Sequence, residues 1–173
     1  MIYEYVRTTT IRGSKVRKIL KMLKTYEIVF GDPHFPLSDF SENANSYKQD
    51  LELRLYSMKD VVQNIKLFIK ETFNRDVYKK SEFKKKAFAG AKMVSVLNYI
   101  DFQIVRANNN LNYLGDDNLI TPSQNSLCFK IYWDQQLESL NLIKKLILSQ
   151  YLTLRDEENN FIYEFLINVE DED

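Results

Sequence analysis

Apolar residues recur at helical spacing along most of this chain. The clearest stripe lies within residues 45–73, where apolar positions follow one another at intervals of three or four: Leu51, Leu55, Met58, Val62, Ile65 and Ile69. Such intervals place side chains on one face of an α-helix, so the pattern predicts one long helix. Residues 51–56 also alternate between apolar and polar side chains, and a strand there is the alternative. The stripe suits either a bundle within the chain or a homo-oligomer with a second copy.

Three further helices are predicted on either side of this stripe. Residues 14–26 carry apolar positions at helical spacing, with lysine or arginine on most of the remaining surface. Residues 81–108 are apolar around nearly the whole circumference of a helix, which is typical of a buried central element. Thr121-Pro122 is a favourable helix start, and it opens a helix over residues 122–154. A strand at residues 127–133 is the alternative there.

The segments between the helices are predicted to be extended or loop-like. Residues 1–13 are aromatic and β-branched with loose alternation, which indicates a short strand or extended arm. Residues 27–30 suit a brief strand before a long connection rich in proline and small polar residues. Asparagine, aspartate and glycine mark a turn-rich loop at residues 108–118. Residues 161–169 are expected to form a last strand or short helix.

Length and composition favour one helical domain. A chain of 173 residues fits a single domain, and a hydrophobic content of 45% supplies a core. Only 4 glycines and 3 prolines are present, so few tight turns are expected. The predicted fold is mainly α: a single-domain bundle of three long helices and one short basic N-terminal helix, with extended segments near the termini and an acidic tail at residues 170–173. An α+β fold with a small mixed sheet is the alternative.

Charge is divided unequally along a chain whose formal net charge is zero. Residues 1–92 hold 19 basic and 11 acidic residues, whereas residues 93–173 hold 5 and 13. The halves therefore carry net charges of +8 and −8. Partition of this kind is typical of a chain that presents a basic surface to an acidic partner or a nucleic acid. It also arises when the two halves neutralise each other within one fold.

Two basic clusters are the candidate binding sites. The first surrounds the predicted N-terminal helix and contains no acidic residue: Arg7, Arg12, Lys15, Arg17, Lys18, Lys21 and Lys24. The second precedes the apolar helix: Lys79, Lys80, Lys84, Lys85, Lys86 and Lys92. Clusters like these bind phosphate backbones through counterion release. Because lysine dominates the second, we expect attraction to charge rather than reading of base edges.

The sequence offers little for catalysis. His34 is the only histidine, and a metal site around it would need Asp32 with Asp39 or Glu42 to converge. The single cysteine, Cys128, excludes a disulfide within the chain, and its apolar neighbours predict a buried thiol. Four widely separated glycines exclude a phosphate-binding glycine loop. We expect neither a cofactor nor a metal.

One acidic pattern keeps an enzymatic alternative open. Glu82-Phe83-Lys84, preceded by Asp76, matches the short core pattern of metal-dependent nucleases. In such enzymes the pattern normally lies on a strand beside the metal, whereas these residues are expected to begin a helix. A small metal-dependent nuclease is therefore the third hypothesis.

The sequence as a whole predicts a non-enzymatic binding protein: an adaptor, inhibitor or regulator that works through charged surfaces. A protein partner is slightly favoured, and a nucleic-acid-binding factor is the alternative. The chain contains no run of roughly 18 apolar residues and no secretory pattern at its start, so we expect a cytoplasmic protein that does not bind membranes.

Overall fold

A computed structural model describes residues 2–30, 44–115 and 124–151 of the chain. These residues form, in order, α1 (Ile2–Thr8), β1 (Thr10–Arg12), α2 (Gly13–Phe30), α3 (Ala44–Thr72), a 3-10 turn (Arg75–Val77), α4 (Lys80–Lys85), β2 (Ala87–Ala89), α5 (Gly90–Gly115) and α6 (Gln124–Leu148). The fold is mainly α, as predicted from the periodicity of the sequence. None of the helices in these ranges is long and apolar enough to cross a bilayer.

The long helices pack as a bundle in which α6 contacts both α3 and α5. Tyr132 donates a hydrogen bond to Asp60 at 2.7 Å, and Gln136, one turn later in α6, donates to the carbonyl of Ser57 at 3.1 Å. The numbering rises in one helix as it falls in the other, so α3 and α6 are antiparallel. Asp101 and Lys144, 2.7 Å apart, place α5 alongside α6 as a third member.

The predicted apolar stripe fills the core. Met58, Val62, Ile65 and Ile69 are buried in one cluster with side chains from the other helices, while Leu51 and Leu55 are half-buried. The stripe therefore packs within this chain, which is the first of its two predicted roles. The strand predicted as an alternative for residues 51–56 is wrong, because α3 is helical throughout.

The prediction of an extended N-terminal arm is wrong for residues 2–8, which form α1. A helix of 7 residues is too short for its periodicity to be recognised in the sequence. Its stability comes from tertiary contacts: Val6 is fully buried, and α1 packs against α5. Only Thr10–Arg12 is extended, as predicted for this region.

The helix predicted from residue 81 to 108 is interrupted by a strand. Ala87–Ala89 pairs antiparallel with Thr10–Arg12, and Ile11 lies opposite Phe88 with both side chains buried. This pairing joins segments distant in sequence and overrides the helical preference of the local residues. The helix begins instead at Gly90, whose amide donates to the carbonyl of Thr9 at 2.9 Å.

Other element boundaries also differ from the predictions. Residues 27–30 belong to α2 rather than to a strand, and residues 108–115, the described part of the predicted loop, continue α5. Residues 127–133 are helical, so the strand alternative there is wrong. The last helix ends at Leu148, and turns follow through residue 151.

The inward face of α6 lies in its second half. Leu140, Ile143 and Ile147 are buried, but Phe129 is 58% exposed because the first turns of α6 lie beyond the core. Cys128 is exposed for the same reason, contrary to the prediction of a buried thiol.

Several predictions fall outside the described residues. They concern the histidine-centred metal site (Asp32, His34, Asp39 and Glu42), the helix start at Thr121-Pro122, the last element at residues 161–169 and the acidic tail at residues 170–173.

A basic groove between helices α2 and α3

Part of the predicted N-terminal basic cluster forms one wall of a groove. Arg17, Lys21 and Lys24 follow one another at intervals of four and three along α2, so they share one face of the helix. The opposite face carries the apolar positions Val16, Ile19 and Leu23, which are buried. Burial of that apolar face orients α2 and thereby turns the cationic face outward.

The second wall is formed by α3 and the turn that follows it. Lys66 and Lys70 extend from α3, and Arg75 and Asp76 close one end from the 3-10 turn. The space between the walls is about 400 Å³, and the described residues that line it are six with cationic side chains, one with a carboxylate and Leu20. Like charges gathered in a concave surface focus the electric field and attract an anion more strongly than scattered surface charges would.

Arg17 is the most unusual residue of this basic groove. Its Nη1 atom is buried and has no hydrogen-bond partner within the described part of the chain. A buried polar group without a partner costs about 1–3 kcal/mol, and more when it is charged. Arg17 also lines the groove, so it is one of the cations that an anion there would meet.

The second predicted cluster lies at one end of the same surface. Helix α4 packs against α2, and the amide of Gly13 donates to the carbonyl of Lys86 at 2.9 Å. The guanidinium of Arg75 lies 5.1 Å from the ring centroid of Phe83 in α4, so α4 adjoins the groove where Arg75 closes it. Lys79, Lys80 and Lys85 are exposed there.

Other predicted cations are engaged elsewhere. Lys15 lies 5.3 Å from the ring of Tyr151, and burial, with the nearby charge of Lys18, lowers its pKa. Lys86 packs over the ring of Tyr78 at 4.1 Å, and Lys92 donates to the carbonyl of Thr72 at 3.0 Å. These contacts give the three lysines structural roles.

Two predicted arginines lie apart from the groove lining. Arg7 belongs to α1, which packs against α5, and Arg12 is exposed on β1 opposite Ala87. Neither is among the residues that line the groove, and neither are Lys18 and Lys84.

Sequence reasoning missed the cations of the second wall, namely Lys66, Lys70 and Arg75. Lys66 and Lys70 stand four residues apart in α3, which indicates a shared helical face. That signal did not reveal that this face borders α2, because the pairing of the two helices is set by packing and not by local sequence.

The residues of the nuclease hypothesis do not form a metal site in the described ranges. Asp76 lies in the 3-10 turn, Glu82 lies in α4, and both are exposed. Within residues 2–30, 44–115 and 124–151, no three histidine, cysteine, aspartate or glutamate residues come together as metal ligands would.

A second surface is rich in exposed aromatic residues. We define the aromatic surface as Tyr56, Phe102, Arg106, Phe129 and Trp133. Arg106 lies 5.3 Å from the ring of Trp133, which joins α5 to α6, and Phe102 and Phe129 each lie one helical turn from one of these residues. Phe102 is 66% exposed and Tyr56 is 65% exposed.

Tyr132 connects the aromatic surface to α3. Its ring lies 6.2 Å from that of Tyr56 and 5.1 Å from that of Trp133. Burial raises the pKa of Tyr132, and its hydrogen bond to the carboxylate of Asp60 raises it further. The phenol is therefore held neutral as a donor, which fixes the first half of α6 against α3.

Comparison of the chain with protein-family models, curated proteins and solved structures finds no match. Functional inference therefore rests on the geometry of the basic groove and of the aromatic surface.

Proposed function

We propose that the chain is a non-enzymatic binding protein whose basic groove holds the phosphate backbone of a nucleic acid. The observation that carries this proposal is the convergence of Arg17, Lys66 and Arg75 with three further lysines on one concave surface. Three separate elements contribute these charges. Charges that converge from separate elements indicate a binding site more specifically than charges along one solvated helix face do.

The chemistry of the groove favours phosphate over other anions. Arginine and lysine together supply both directional donors and point charges, the combination found in phosphate contacts. Exposed lysines on α4 extend the same charge beyond the groove, so a polymer with many phosphates gains more than a single anion. Because these contacts reach phosphates and not base edges, we expect weak sequence preference.

Binding to labelled single- and double-stranded DNA and RNA across a salt series tests this proposal. Affinity should fall steeply with rising salt, with a logarithmic slope of about −0.9 per phosphate contacted on duplex DNA. The double variant Lys24→Glu/Lys70→Glu reverses two exposed charges of the groove. It should weaken binding at least ten-fold and make the slope shallower by about 2.

The matched control is Lys59→Glu/Lys130→Glu. These lysines are exposed on α3 and α6 and lie outside the groove, and their reversal changes the net charge by the same amount. Binding by the control should change much less than binding by the groove variant. Equal losses in the two variants would mean that net charge, and not the groove, attracts nucleic acid. Absence of binding at low salt would remove the proposal.

A protein partner is the second candidate, and the aromatic surface favours it. Tryptophan, tyrosine and arginine are the residues enriched at the energetic centres of protein interfaces. The aromatic surface has this composition, since the exposed Arg106 lies over the half-buried ring of Trp133. The apolar stripe of α3 is largely buried in the core and is therefore not available to a partner. The aromatic surface is exposed and is the better site for one.

Cross-linking of a photoreactive group at residue 102 or 129 in the source cells tests the second candidate. A partner of defined mass should be captured at both positions and not at Asn108, which is exposed about 120° around α5 from Phe102. Phe102→Ser should then reduce capture at residue 129. Equal capture at all three positions, or none at residues 102 and 129, would contradict a specific protein interface.

A further inference from the structure

A second cavity lies between α3 and α6, near the end of α2. It encloses about 600 Å³ and is lined on the α3 side by Leu51, Arg54, Leu55 and Met58. These positions are spaced at three, one and three residues, so one face of α3 forms a continuous wall. The volume falls within the range of roughly 300–1,000 Å³ that is usual for small-molecule sites.

The cavity has an apolar floor. Tyr26 and Met58 are each 3% exposed, and Leu55 and Leu142 are half-buried beside them. The hydroxyl of Tyr26 lies 3.0 Å from that of Ser139, and Gln135 donates to Ser139 at 3.0 Å. These hydrogen bonds occupy polar atoms near the floor, and the remaining surface suits an aliphatic or ring-shaped body.

The rim is polar and carries charges of both signs. Lys145, Glu138 and Asn141 are exposed on successive turns of α6, and Arg54 faces them from α3. Arg54 also forms an ion pair with Asp50 at 3.4 Å, which offsets its charge. Among the described residues, two cations and two carboxylates therefore lie at or beside the mouth, and an anionic head group is favoured where it lies directly between Lys145 and Arg54.

We propose that this cavity binds a small amphipathic carboxylate, with its apolar body on the Tyr26–Met58 floor and its carboxylate between Lys145 and Arg54. The ligand's carboxylate remains at the mouth, where water and two cations solvate it. Its apolar body is buried against the floor of the cavity, out of contact with water. Glu138 on the same rim opposes an anionic head group. Binding of the head group therefore requires contacts with Lys145 and Arg54 that outweigh both the repulsion by Glu138 and the competing ion pair between Arg54 and Asp50.

The cavity is independent of the basic groove. On α3, Lys66 and Lys70 lie eight and twelve residues beyond Met58, the last residue of that helix to line the cavity, which is roughly 12–18 Å along a helix. The two sites share no lining residue among those that the structure describes. The two proposals can consequently fail separately.

Calorimetric titration with octanoate, 1-octanol and octylammonium tests the inference. These three probes have alkyl chains of similar length and differ in the charge of the head group. Octanoate should bind at one saturable site, about ten-fold more tightly than octanol, as expected for one charge-assisted contact. Octylammonium should bind most weakly. Lys145→Gln should weaken octanoate binding by three- to ten-fold, and Glu138→Gln should strengthen it by about three-fold.

Three controls make the test specific. Lys130→Gln changes an exposed lysine of α6 outside the cavity and should leave octanoate binding unchanged. Lys24→Glu/Lys70→Glu should also leave it unchanged, which separates this cavity from the groove. Leu142→Trp should fill the cavity and abolish binding of every probe, and circular dichroism should verify that the variant is folded.

Any of three results would overturn the inference. Octanoate could show no saturable binding. Octanol could bind as tightly as octanoate, which would remove the carboxylate from the proposal. Finally, Lys145→Gln could behave like Lys130→Gln, which would place the bound octanoate elsewhere on the protein.

Discussion

Gly13 and Gly90 stand where the backbones of two segments approach too closely for a side chain. A Cβ atom on Gly13 would lie 1.6 Å from the carbonyl oxygen of Phe83, and one on Gly90 would lie 1.9 Å from that of Val6. Where no such contact exists, a Gly→Ala substitution raises the free energy of unfolding by about 0.4–1 kcal/mol, because alanine reduces the conformational entropy of the unfolded chain. Here the neighbour is backbone, so we expect each Gly→Ala variant to lower the free energy of unfolding by about 2–4 kcal/mol.

Urea unfolding of Gly13→Ala and Gly90→Ala measures this effect. Ser95→Ala, at an exposed position in the same helix as Gly90, serves as the control and should change stability by less than about 0.5 kcal/mol. A glycine variant as stable as the control would show that α4 or α1 can move away from its neighbour at little cost.

Arg17 links stability to binding at the scale of one side chain. The Nη1 atom of Arg17 is buried and has no hydrogen-bond partner among the described residues, so Arg17→Met should leave the free energy of unfolding unchanged or raise it by up to about 1 kcal/mol. The same variant should weaken nucleic-acid binding about ten-fold, as expected for the loss of one charge-assisted contact.

Chemical denaturation and the salt-series binding assay together test Arg17→Met. Arg12→Met, at an exposed arginine of β1 outside the groove, is the matched control and should change neither quantity appreciably. A variant that loses stability and binding in parallel would indicate a structural arginine and not a binding residue.

At the scale of elements, α1 is held by a polar clamp. Tyr3 donates a hydrogen bond to Asp101 at 2.5 Å, and Lys144 donates to the other oxygen of the same carboxylate at 2.7 Å. The clamp joins α1, α5 and α6. Tyr3→Phe removes the hydrogen bond and keeps the ring, so it should lower stability by about 0.5–1.5 kcal/mol.

Hydrogen exchange separates a local effect from a global one in Tyr3→Phe. The amides of α1 should exchange faster, whereas those at the centre of α3 should change little. Tyr5→Phe is the matched control, since Tyr5 lies on the same helix and is 53% exposed. Equal exchange in the two variants would exclude a role for the clamp in holding α1.

The elements that could be predicted from sequence are those with repeated local signals. α3 was predicted within about a residue at each end because its stripe runs through several turns. α1, the strand Ala87–Ala89 and its pairing with Thr10–Arg12 were not, because each is short and depends on distant partners. The start of α5 at Gly90 depends on the same long-range pairing.

At the scale of the whole molecule, the charge partition indicated a basic surface but not its shape. The α2 wall of the groove was predicted from a run free of acidic residues. Lys66, Lys70 and Arg75 join it only because α3 packs against α2. The aromatic surface was missed for a related reason: Phe102 and Phe129 fit the apolar periodicity of their helices and yet remain exposed. The sequence pattern alone does not distinguish apolar positions that are buried from those that stay on the surface.

Tyrosine ionisation couples the stability of the whole fold to alkaline pH. Burial raises the pKa of five tyrosines, Tyr3, Tyr26, Tyr99, Tyr132 and Tyr151. For Lys144, burial alone would lower the pKa, but hydrogen bonds with Asp101 and Tyr3 outweigh it and raise the pKa. Lys15, whose pKa is lowered, has the opposite effect on the pH dependence.

The sign of the pH effect follows from proton binding. Above about pH 10 an unfolded tyrosine loses its proton while a folded one keeps it, so the unfolded state binds fewer protons and stability falls as pH rises. Lys144 acts in the same direction above pH 10.5. The urea midpoint should therefore fall between pH 9 and 11, and by less in Tyr132→Phe than in Tyr113→Phe, whose ring is 74% exposed. A midpoint that stays constant over this range would contradict the burial of these phenols.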